Sequence, residues 1–487
     1  MRGPGLNWKF IFRVIGFILI LESLFIFISA CVAYYFQGTD LHSLLLSAAI
    51  TFTCGLIVSL STGLKKVYLI GKREGYLSVA LSWISFALFG SLPFFLSGEI
   101  PSFSDAFFES TSGITTTGAS ILTDVDVISK GLLFWRSILQ WLGGMGIIVF
   151  SLALLPLLGG GASQLFDAES TGLTHDKFRP RVTQMAKRLL AIYLIITSLL
   201  MILLSLGPMN LYDAVCHSFT TISTGGFSTR QASIAHWDST YIESILLIFM
   251  IMGAINFSLF YFLINGRVGK FFKDEELRWF LSIIIIAALL VGINLFVTNN
   301  YAIPDSFRVA LFQVVSVITT TGFSTADFSL WGPFCLFLFM LLMVICGCAG
   351  STSGGLKMVR AVVLAKNTLC EFKRLIHPRA IIPVRLNGSA LAFGIVQRLL
   401  AFAFLYICII FVSWGILTLV GMPFDEALGA SVSLIGNVGP GFGSLSGFGS
   451  YAEIPVFAKW YLSFLMIIGR LEIFTFLILF TPAFWKR

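Results

Sequence analysis

The chain has 487 residues, of which 57% are hydrophobic and 11% are charged, and its mean hydropathy is +0.92. This composition excludes a soluble globular protein, which needs far more polar surface to stay in water. The net charge of +8 does not indicate nucleic-acid binding, because the Lys and Arg residues stand in short loops between apolar runs. The eight cysteines form no CxxC pair, so they do not indicate a zinc site.

Apolar runs predict membrane-spanning helices from one end of the chain to the other. Examples are residues 10–36, 78–97, 189–206 and 461–480, each near the roughly 20 residues that cross a bilayer as a helix. The first run has no small-residue cleavage site after it, so we interpret it as a retained span. We predict an all-α polytopic membrane protein with ten spans. The predicted units are two leading spans at 1–76 and four repeats at 77–188, 189–278, 279–397 and 398–487.

The basic residues predict the orientation in the bilayer. Twenty-six of the 32 Lys and Arg residues fall in groups at the two termini and in alternate loops, and only five fall in the opposite loops. Basic loops stay on the cytoplasmic side. This bias predicts cytoplasmic termini and an even number of spans.

A short pattern recurs four times in the loops opposite the basic ones. In each copy an Ala is followed eight residues later by Ile and, four residues after that, by Gly. The first copy, for example, has Ala106, Ile114 and Gly118. A lone TTTG sequence carries little information, but four copies in phase, each between apolar runs, are a specific signal. The four glycines are Gly118, Gly226, Gly322 and Gly439.

The spacing predicts that each copy enters the membrane and returns. A stretch of about 10–12 helical residues covers only ~15–18 Å, too short to cross. We therefore predict a half-helix followed by an extended return segment, which membrane depth tolerates only around a cavity or inside protein. Carbonyls of four such segments can replace the hydration shell of a cation, and Thr and Ser hydroxyls can add oxygens. The predicted ligands are Thr115, Thr116, Thr117, Gly118, Ile222, Ser223, Thr224, Gly225, Gly226, Ile318, Thr319, Thr320, Thr321, Gly322, Asn437, Val438 and Gly439.

These segments resemble the four filter loops of the Trk/Ktr/HKT potassium transporter superfamily, and the resemblance extends over the whole chain. With its two leading spans the chain is similar to the Trk-type potassium-translocating subunits. The resemblance implies four pseudo-symmetric repeats around one pore, with K⁺ as the transported ion and no bound cofactor. It also implies a homodimer in the bacterial plasma membrane and a cytoplasmic nucleotide-binding regulatory ring of the TrkA type. No nucleic-acid partner is expected.

Two copies depart from the Thr-rich pattern. The second reads Ser223-Thr224-Gly225-Gly226, and the fourth reads Asn437-Val438-Gly439. The ion site therefore need not be fourfold symmetric. In plant relatives a Ser in place of the first filter glycine accompanies sodium preference, so Gly118 implies potassium selectivity.

The second span of the third repeat contains a run of small residues. Gly, Ser and Thr at this density disfavour a continuous helix, so we predict a broken helix with a loop below the filter. In the superfamily the matching segment obstructs the pore. The predicted gate residues are Gly347, Ala349, Gly350, Ser351, Thr352, Ser353, Gly354, Gly355 and, from the fourth repeat, Arg470.

Arg470 follows Gly469 in the middle of an apolar run, where a charge is costly and indicates function. Glu472 points to another face of the helix, so we expect carbonyls or hydroxyls of the small-residue loop to bind Arg470. An alternative is that Arg470 only ties two helices together. The other repeats also have small residues at matching depth: Gly143, Gly144, Gly146, Gly253 and Asn256. Close helix packing and a role in gating both fit them.

The alternatives from other classes are weaker. The sequence has no HExxH, GxSxG or P-loop motif, so an enzyme is not expected. The potassium-binding subunit of a Kdp-like pump also uses four such repeats. A sodium- or proton-coupled symporter fits the broken span but not the four filter-like copies.

Overall fold

The computed structural model describes residues 6–62, 71–146 and 182–486, and helices dominate it. The leading helices α1 (Trp8–Tyr35) and α2 (Leu41–Ser61) pack against each other extensively. They approach closely at Gly16 and Gly55, where a side chain would meet the opposite backbone. Seven members of the basic groups that predict the orientation lie outside the described residues, namely Arg2, Lys65, Lys66, Lys177, Arg179, Arg181 and Arg487.

Each predicted repeat contains a long helix, a short helix that begins after a turn, and a second span. The first two repeats supply α3 to α11. Their bounds are α3 (Lys72–Gly90), α4 (Leu92–Ser97), α5 (Phe103–Ile114), α6 (Lys130–Gly144), α7 (Val182–Ser205), α8 (Leu211–Ile222), α9 (Thr240–Ala254), α10 (Phe257–Ile264) and α11 (Val268–Phe272).

The last two repeats supply α12 to α20 and a two-stranded antiparallel hairpin between α15 and α16. The helices are α12 (Glu275–Thr298), α13 (Ile303–Ile318), α14 (Pro333–Ile345), α15 (Met358–Ile376), α16 (Phe393–Leu419), α17 (Phe424–Ile435), α18 (Val456–Arg470), α19 (Ile473–Leu477) and α20 (Pro482–Trp485), and the strands are β1 (Arg385–Leu386) and β2 (Ser389–Ala390).

The described residues account for six to eight of the ten expected spans, depending on how broken helices are counted. Six helices are long and apolar enough to cross a membrane, and two bent pairs raise this number to eight. The run at 461–480, predicted as one span, is not a straight helix. It bends by 114° after Arg470, where Glu472 takes a left-handed φ of 61°. The second spans of repeats two, three and four are all interrupted, a feature that the sequence indicated only for the third.

The interior of the repeats holds buried polar residues beside its hydrophobic core, and the outer helix faces are apolar. Ile286, Leu289 and Ile293 on α12 are about half exposed, as lipid-facing side chains are. Glu109 and Arg136, in contrast, are buried and form an ion pair of 2.8 Å between α5 and α6. This arrangement suits a bilayer, where lipid cannot satisfy polar groups.

Candidate functional site

Each of the four short helices ends at the Ile of the sequence repeat, namely Ile114, Ile222, Ile318 and Ile435. The residue that follows caps each helix with nearly the same angles, φ from −78° to −74° and ψ from −11° to 1°. The four return segments therefore begin in the same conformation. We call residues 115–118, 223–226, 319–322 and 436–439 filter segments one to four.

The filter segments share one alternating backbone conformation. Their second residues, Thr116, Thr224, Thr320 and Asn437, all have left-handed φ values between 53° and 60°. Their last residues are the four glycines, with φ between 77° and 103°. A left-handed φ is uncommon at residues other than glycine, and it indicates a functional constraint. Four equivalent occurrences indicate that the backbone, rather than the side chains, carries the repeated function.

The glycines interlock the segments into a ring. A side chain on Gly118 would collide with the carbonyl oxygen of Gly225 in segment two, and one on Gly226 would collide with Thr321 in segment three. A side chain on Gly322 would collide with the Val438 carbonyl oxygen in segment four, and one on Gly439 would collide with the Thr117 carbonyl oxygen in segment one. Each glycine thus makes room for the next segment, and the order one, two, three, four closes on itself.

Most carbonyls of the ring have no hydrogen-bond donor. Of the sixteen, only those of Ser223, Gly225 and Gly439 accept a hydrogen bond from the described residues. The segments are otherwise buried, apart from the partly exposed Gly118, Gly226 and Gly322. Buried carbonyls without donors are rare in proteins, so this ring has the chemistry to bind a desolvated cation. The carbonyl ends of the four short helices, which are partly negative, also favour a cation there.

A recess leads to one end of the ring. All four glycines line it, together with Ser120, Ser228 and Gln231. The loops that follow the filter segments form its walls. The recess gives the glycine end of the ring access to solvent.

A loop crosses the opposite end of the ring, where the short helices end. It comprises residues 346–357, between α14 and α15, and we call it the crossing loop. Thr352 Oγ1 donates to the carbonyl of Ile222 at 3.0 Å and lies 3.2 Å from Thr224 Oγ1. Gly354 N donates to Thr320 Oγ1 at 3.2 Å, and a side chain on Gly354 would collide with the Gly436 carbonyl. The crossing loop thus contacts segments two, three and four.

Arg470 links the crossing loop to the first repeat. Its Nη1 donates to the carbonyl of Thr352 at 2.6 Å, and its Nη2 donates to those of Gly143 at 2.5 Å and Gly144 at 3.2 Å. The loop and Arg470 together contact all four repeats, so they lie across the axis of the ring. A guanidinium placed there repels cations as well as filling space.

The comparisons with known proteins agree over nearly the whole chain. The matching family model is TrkH, described as a cation transport protein, and it covers residues 46–487. The Trk system potassium uptake protein TrkH of Halomonas elongata is 37% identical over 485 residues, which span 99% of this chain and 100% of the relative. The protein of that name in Escherichia coli is 38% identical, with 99% and 100% covered. This chain belongs to the TrkH family of cation transport proteins.

A solved structure supports the same assignment. The crystal structure of the potassium transporter TrkH from Vibrio parahaemolyticus matches with a TM-score of 0.88 and 37% identity, covering 99% of this chain and 100% of that one. The predicted resemblance and the all-α polytopic fold are confirmed. With at least six apolar spans, this TrkH-family chain is a multi-pass membrane protein.

The structure brings the predicted ligands of the TrkH-family chain together, with one qualification. Ile222 and Ile318 are the last residues of their helices, and the Ile222 carbonyl already accepts a hydrogen bond from Thr352. The predicted gate residues Gly347, Ala349, Gly350, Ser351, Thr352, Ser353, Gly354 and Gly355 all lie in the crossing loop.

Sequence reasoning missed Gln140, a buried residue of α6. Its Nε2 donates to the Gly225 carbonyl at 2.6 Å, and its Oε1 accepts from Phe227 N at 3.0 Å. A side chain on Gly225 would occupy the position of this carboxamide, which explains why segment two has Gly where the other segments have Thr or Val. A polar residue in an apolar span was the available signal.

The small residues at matching depth in repeats one and two also contact the crossing loop or Arg470. The Gly253 carbonyl accepts from Thr352 N at 3.3 Å and from Thr352 Oγ1 at 3.0 Å. Asn256, at the bend between α9 and α10, caps α10 through Ser258 N. Both interpretations left open by the sequence fit these contacts: the carbonyls bond Arg470 or Thr352, and a Cβ on Gly143 or Gly144 would collide with a neighbouring segment.

Proposed function

We propose that this chain carries potassium ions across the plasma membrane into a bacterial cell, through the ring of the four filter segments. The observation that carries the proposal is the closed ring of buried carbonyls without donors. Such oxygens suit a large monovalent cation that gives up its water. The segments hold no carboxylate, which a site for divalent ions would need. The names of the relatives, potassium uptake proteins, support the same ion.

The crossing loop and Arg470 are the proposed gate. An ion that enters through the recess and passes the ring meets Thr352 and Gly354 at the far end. Conduction then requires the loop to move, which breaks the bonds of Thr352 to Ile222 and to Arg470. The loop is suited to such movement because Gly350 and Gly355 have left-handed φ values that glycine adopts easily.

The partners follow from the family assignment and the charge distribution. The basic groups support cytoplasmic termini, and the relatives belong to named Trk systems. We propose that the chain forms a homodimer in the membrane and that a TrkA-like nucleotide-binding ring acts on it from the cytoplasm. In this proposal the chain is not an enzyme, and K⁺ is its cargo. The Trk relatives favour this function over that of a pump subunit.

The test is ion uptake into liposomes that contain the purified chain. Radioactive rubidium, a potassium surrogate, is compared with radioactive sodium for the wild type, for Gly118→Ser and for a variant with residues 349–355 shortened. We expect rubidium to exceed sodium and the shortened loop to raise rubidium flux. Gly118→Ser places a Cβ against the Gly225 carbonyl, so we expect it to lower rubidium flux as well as the discrimination. Absence of flux from the shortened-loop variant would overturn the proposed pathway. Uptake that requires a sodium or proton gradient would indicate coupled symport.

A further inference from the structure

A single carboxylate oxygen holds both ends of the crossing loop. Glu276 lies in the first turn of α12, and its side chain is buried. Its Oε1 accepts from Ala349 N at 2.7 Å, near the start of the loop, and from Val359 N at 3.0 Å, just past its end. The two ends are also joined directly, by Met358 N to the Gly347 carbonyl at 2.8 Å and by Leu356 N to the Val344 carbonyl at 3.2 Å, and Glu276 adds a charged link from a second helix.

Both bonds satisfy amides that otherwise lack a partner. Val359 is the second residue of α15, and the first amides of a helix have no acceptor within the helix. Ala349 is buried in the loop, away from water. A carboxylate at a helix N-terminus is also favoured by the helix dipole, and its hydrogen bonds are stronger than neutral ones. Opening of the loop separates at least one of these pairs.

The neighbouring acids on α12 have different partners, so the contact is specific to Glu276. Asp274 caps α12 itself through Leu277 N at 3.0 Å. Glu275 is partly exposed, forms an ion pair with Lys366 and accepts from Asn387 N at 3.0 Å. Both of these acids point away from the crossing loop.

We propose that Glu276 is a latch of the gate: it holds the two ends of the crossing loop in the closed position, while Arg470 holds its middle. This inference rests on the proposed function and adds a positioning residue to it. Glu276 does not contact the ring, so its removal eases opening and leaves the choice of ion unchanged.

The first test measures rubidium and sodium uptake for Glu276→Ala and Glu276→Gln in liposomes. Ala removes both hydrogen bonds, and we expect rubidium flux to rise by about tenfold, the scale of one lost charged hydrogen bond. Gln keeps an accepting oxygen without the charge, so we expect the flux of Glu276→Gln to lie between those of the wild type and Glu276→Ala. The matched control is Glu275→Ala, an adjacent carboxylate, which should behave as the wild type. The ratio of rubidium to sodium should not change in any variant.

A second test uses thiols that already lie in the loop. Cys346 and Cys348 are fully buried in the closed arrangement. Their reaction with N-ethylmaleimide, followed by peptide mass spectrometry, should be faster in Glu276→Ala than in the wild type or Glu275→Ala. This readout does not depend on which ion passes through the ring.

The outcomes separate the latch from the pathway. Wild-type flux and thiol protection in a Glu276→Ala variant that elutes and melts as the wild type would overturn the latch. If that variant does not fold, unchanged flux and labelling in Glu276→Gln would overturn it. If the shortened-loop variant is also silent, the proposed pathway fails. If it conducts while both Glu276 variants stay closed, only the latch fails.

Discussion

Filter segments one and three differ from segments two and four in what holds their backbone. In segment one the hydroxyls of Thr115 and Thr117 bond each other at 2.7 Å. In segment three the hydroxyls of Thr319 and Thr321 do the same at 2.8 Å. These two segments carry their own support, from the residues before and after the left-handed position.

Segments two and four are supported by carboxamides instead. Gln140 bonds the backbone on both sides of Gly226 in segment two. In segment four the Asn437 side chain donates to Thr117 Oγ1 at 2.9 Å and to the Met466 carbonyl at 3.0 Å. The backbone angles are nevertheless alike in all four segments. The four segments thus share their backbone conformation, while the side chains that support it differ.

The largest effect is expected where the shared backbone itself is broken. Gly226→Ala places a Cβ against the Thr321 carbonyl, and no rotation can relieve a clash with backbone. The substitution is made in the shortened-loop variant, which is expected to conduct. We expect its rubidium flux to fall by about a hundredfold relative to the shortened-loop variant alone, since overpacking of this kind costs roughly 1–3 kcal/mol or more. Flux in liposomes measures it.

Gly98→Ala is the matched control for that prediction. Gly98 has the same φ of 77° as Gly226, but nothing lies within 4 Å of the position of its Cβ. The variant has only the cost of a left-handed Ala, about 1–2 kcal/mol, and should conduct normally. Equal losses in both variants would show that backbone strain, rather than contact between segments, explains the glycines.

A smaller effect is expected from the support of segment two. Gln140→Leu leaves the Gly225 carbonyl and Phe227 N without partners, which frees the segment to shift. We expect discrimination between rubidium and sodium to fall by about tenfold, the scale of one or two buried hydrogen bonds. The ratio of the two uptake rates measures it.

Gln313→Leu tests whether any buried glutamine has this effect. Gln313 is buried in α13 and bonds the Ala326 carbonyl at 2.6 Å, outside the filter segments. Loss of this side chain should lower thermal stability and leave the ratio of rubidium to sodium uptake unchanged. A ratio that falls equally in both variants would contradict a specific role of Gln140.

The smallest effect separates the two self-supported segments. Thr117→Val removes one partner of both the Thr115 hydroxyl and the Asn437 amide, whereas Thr321→Val affects only Thr319. The Thr115 and Thr319 hydroxyls keep their bonds to the Thr111 and Val315 carbonyls, so the variants differ by the Asn437 N–H that loses its acceptor. A buried group without a partner costs about 1–3 kcal/mol, so Thr117→Val should lower the melting temperature further. Thermal unfolding in lipid nanodiscs measures the difference, and equal melting temperatures would mean that the bond between segments four and one contributes nothing.

Much of the site could be predicted from local sequence. The repeated Ala, Ile and Gly positions predicted where each short helix ends and where a left-handed residue follows. The run from Ala349 to Gly355 predicted an interruption, and α14 ends at Ile345. The breaks near Asn256 and Glu472 were not predicted, because an apolar run does not show that a helix end is held by other segments. The run at 461–480 was therefore taken for one span.

The sequence by itself determined the membrane setting, the four copies and the end of each short helix, because hydropathy and helix length act within a few residues. The left-handed second residue of each filter segment was not predicted, since an extended segment was expected there. Only the tertiary structure decided the order of the ring, the free carbonyls, and the roles of Gln140 and Glu276. The roles of Gln140 and Glu276 depend on contacts between residues that lie 73 to 87 positions apart, and the order of the ring depends on pairs that lie further apart still. Such contacts arise from the packing of whole helices, and neither composition nor spacing in a single sequence records them.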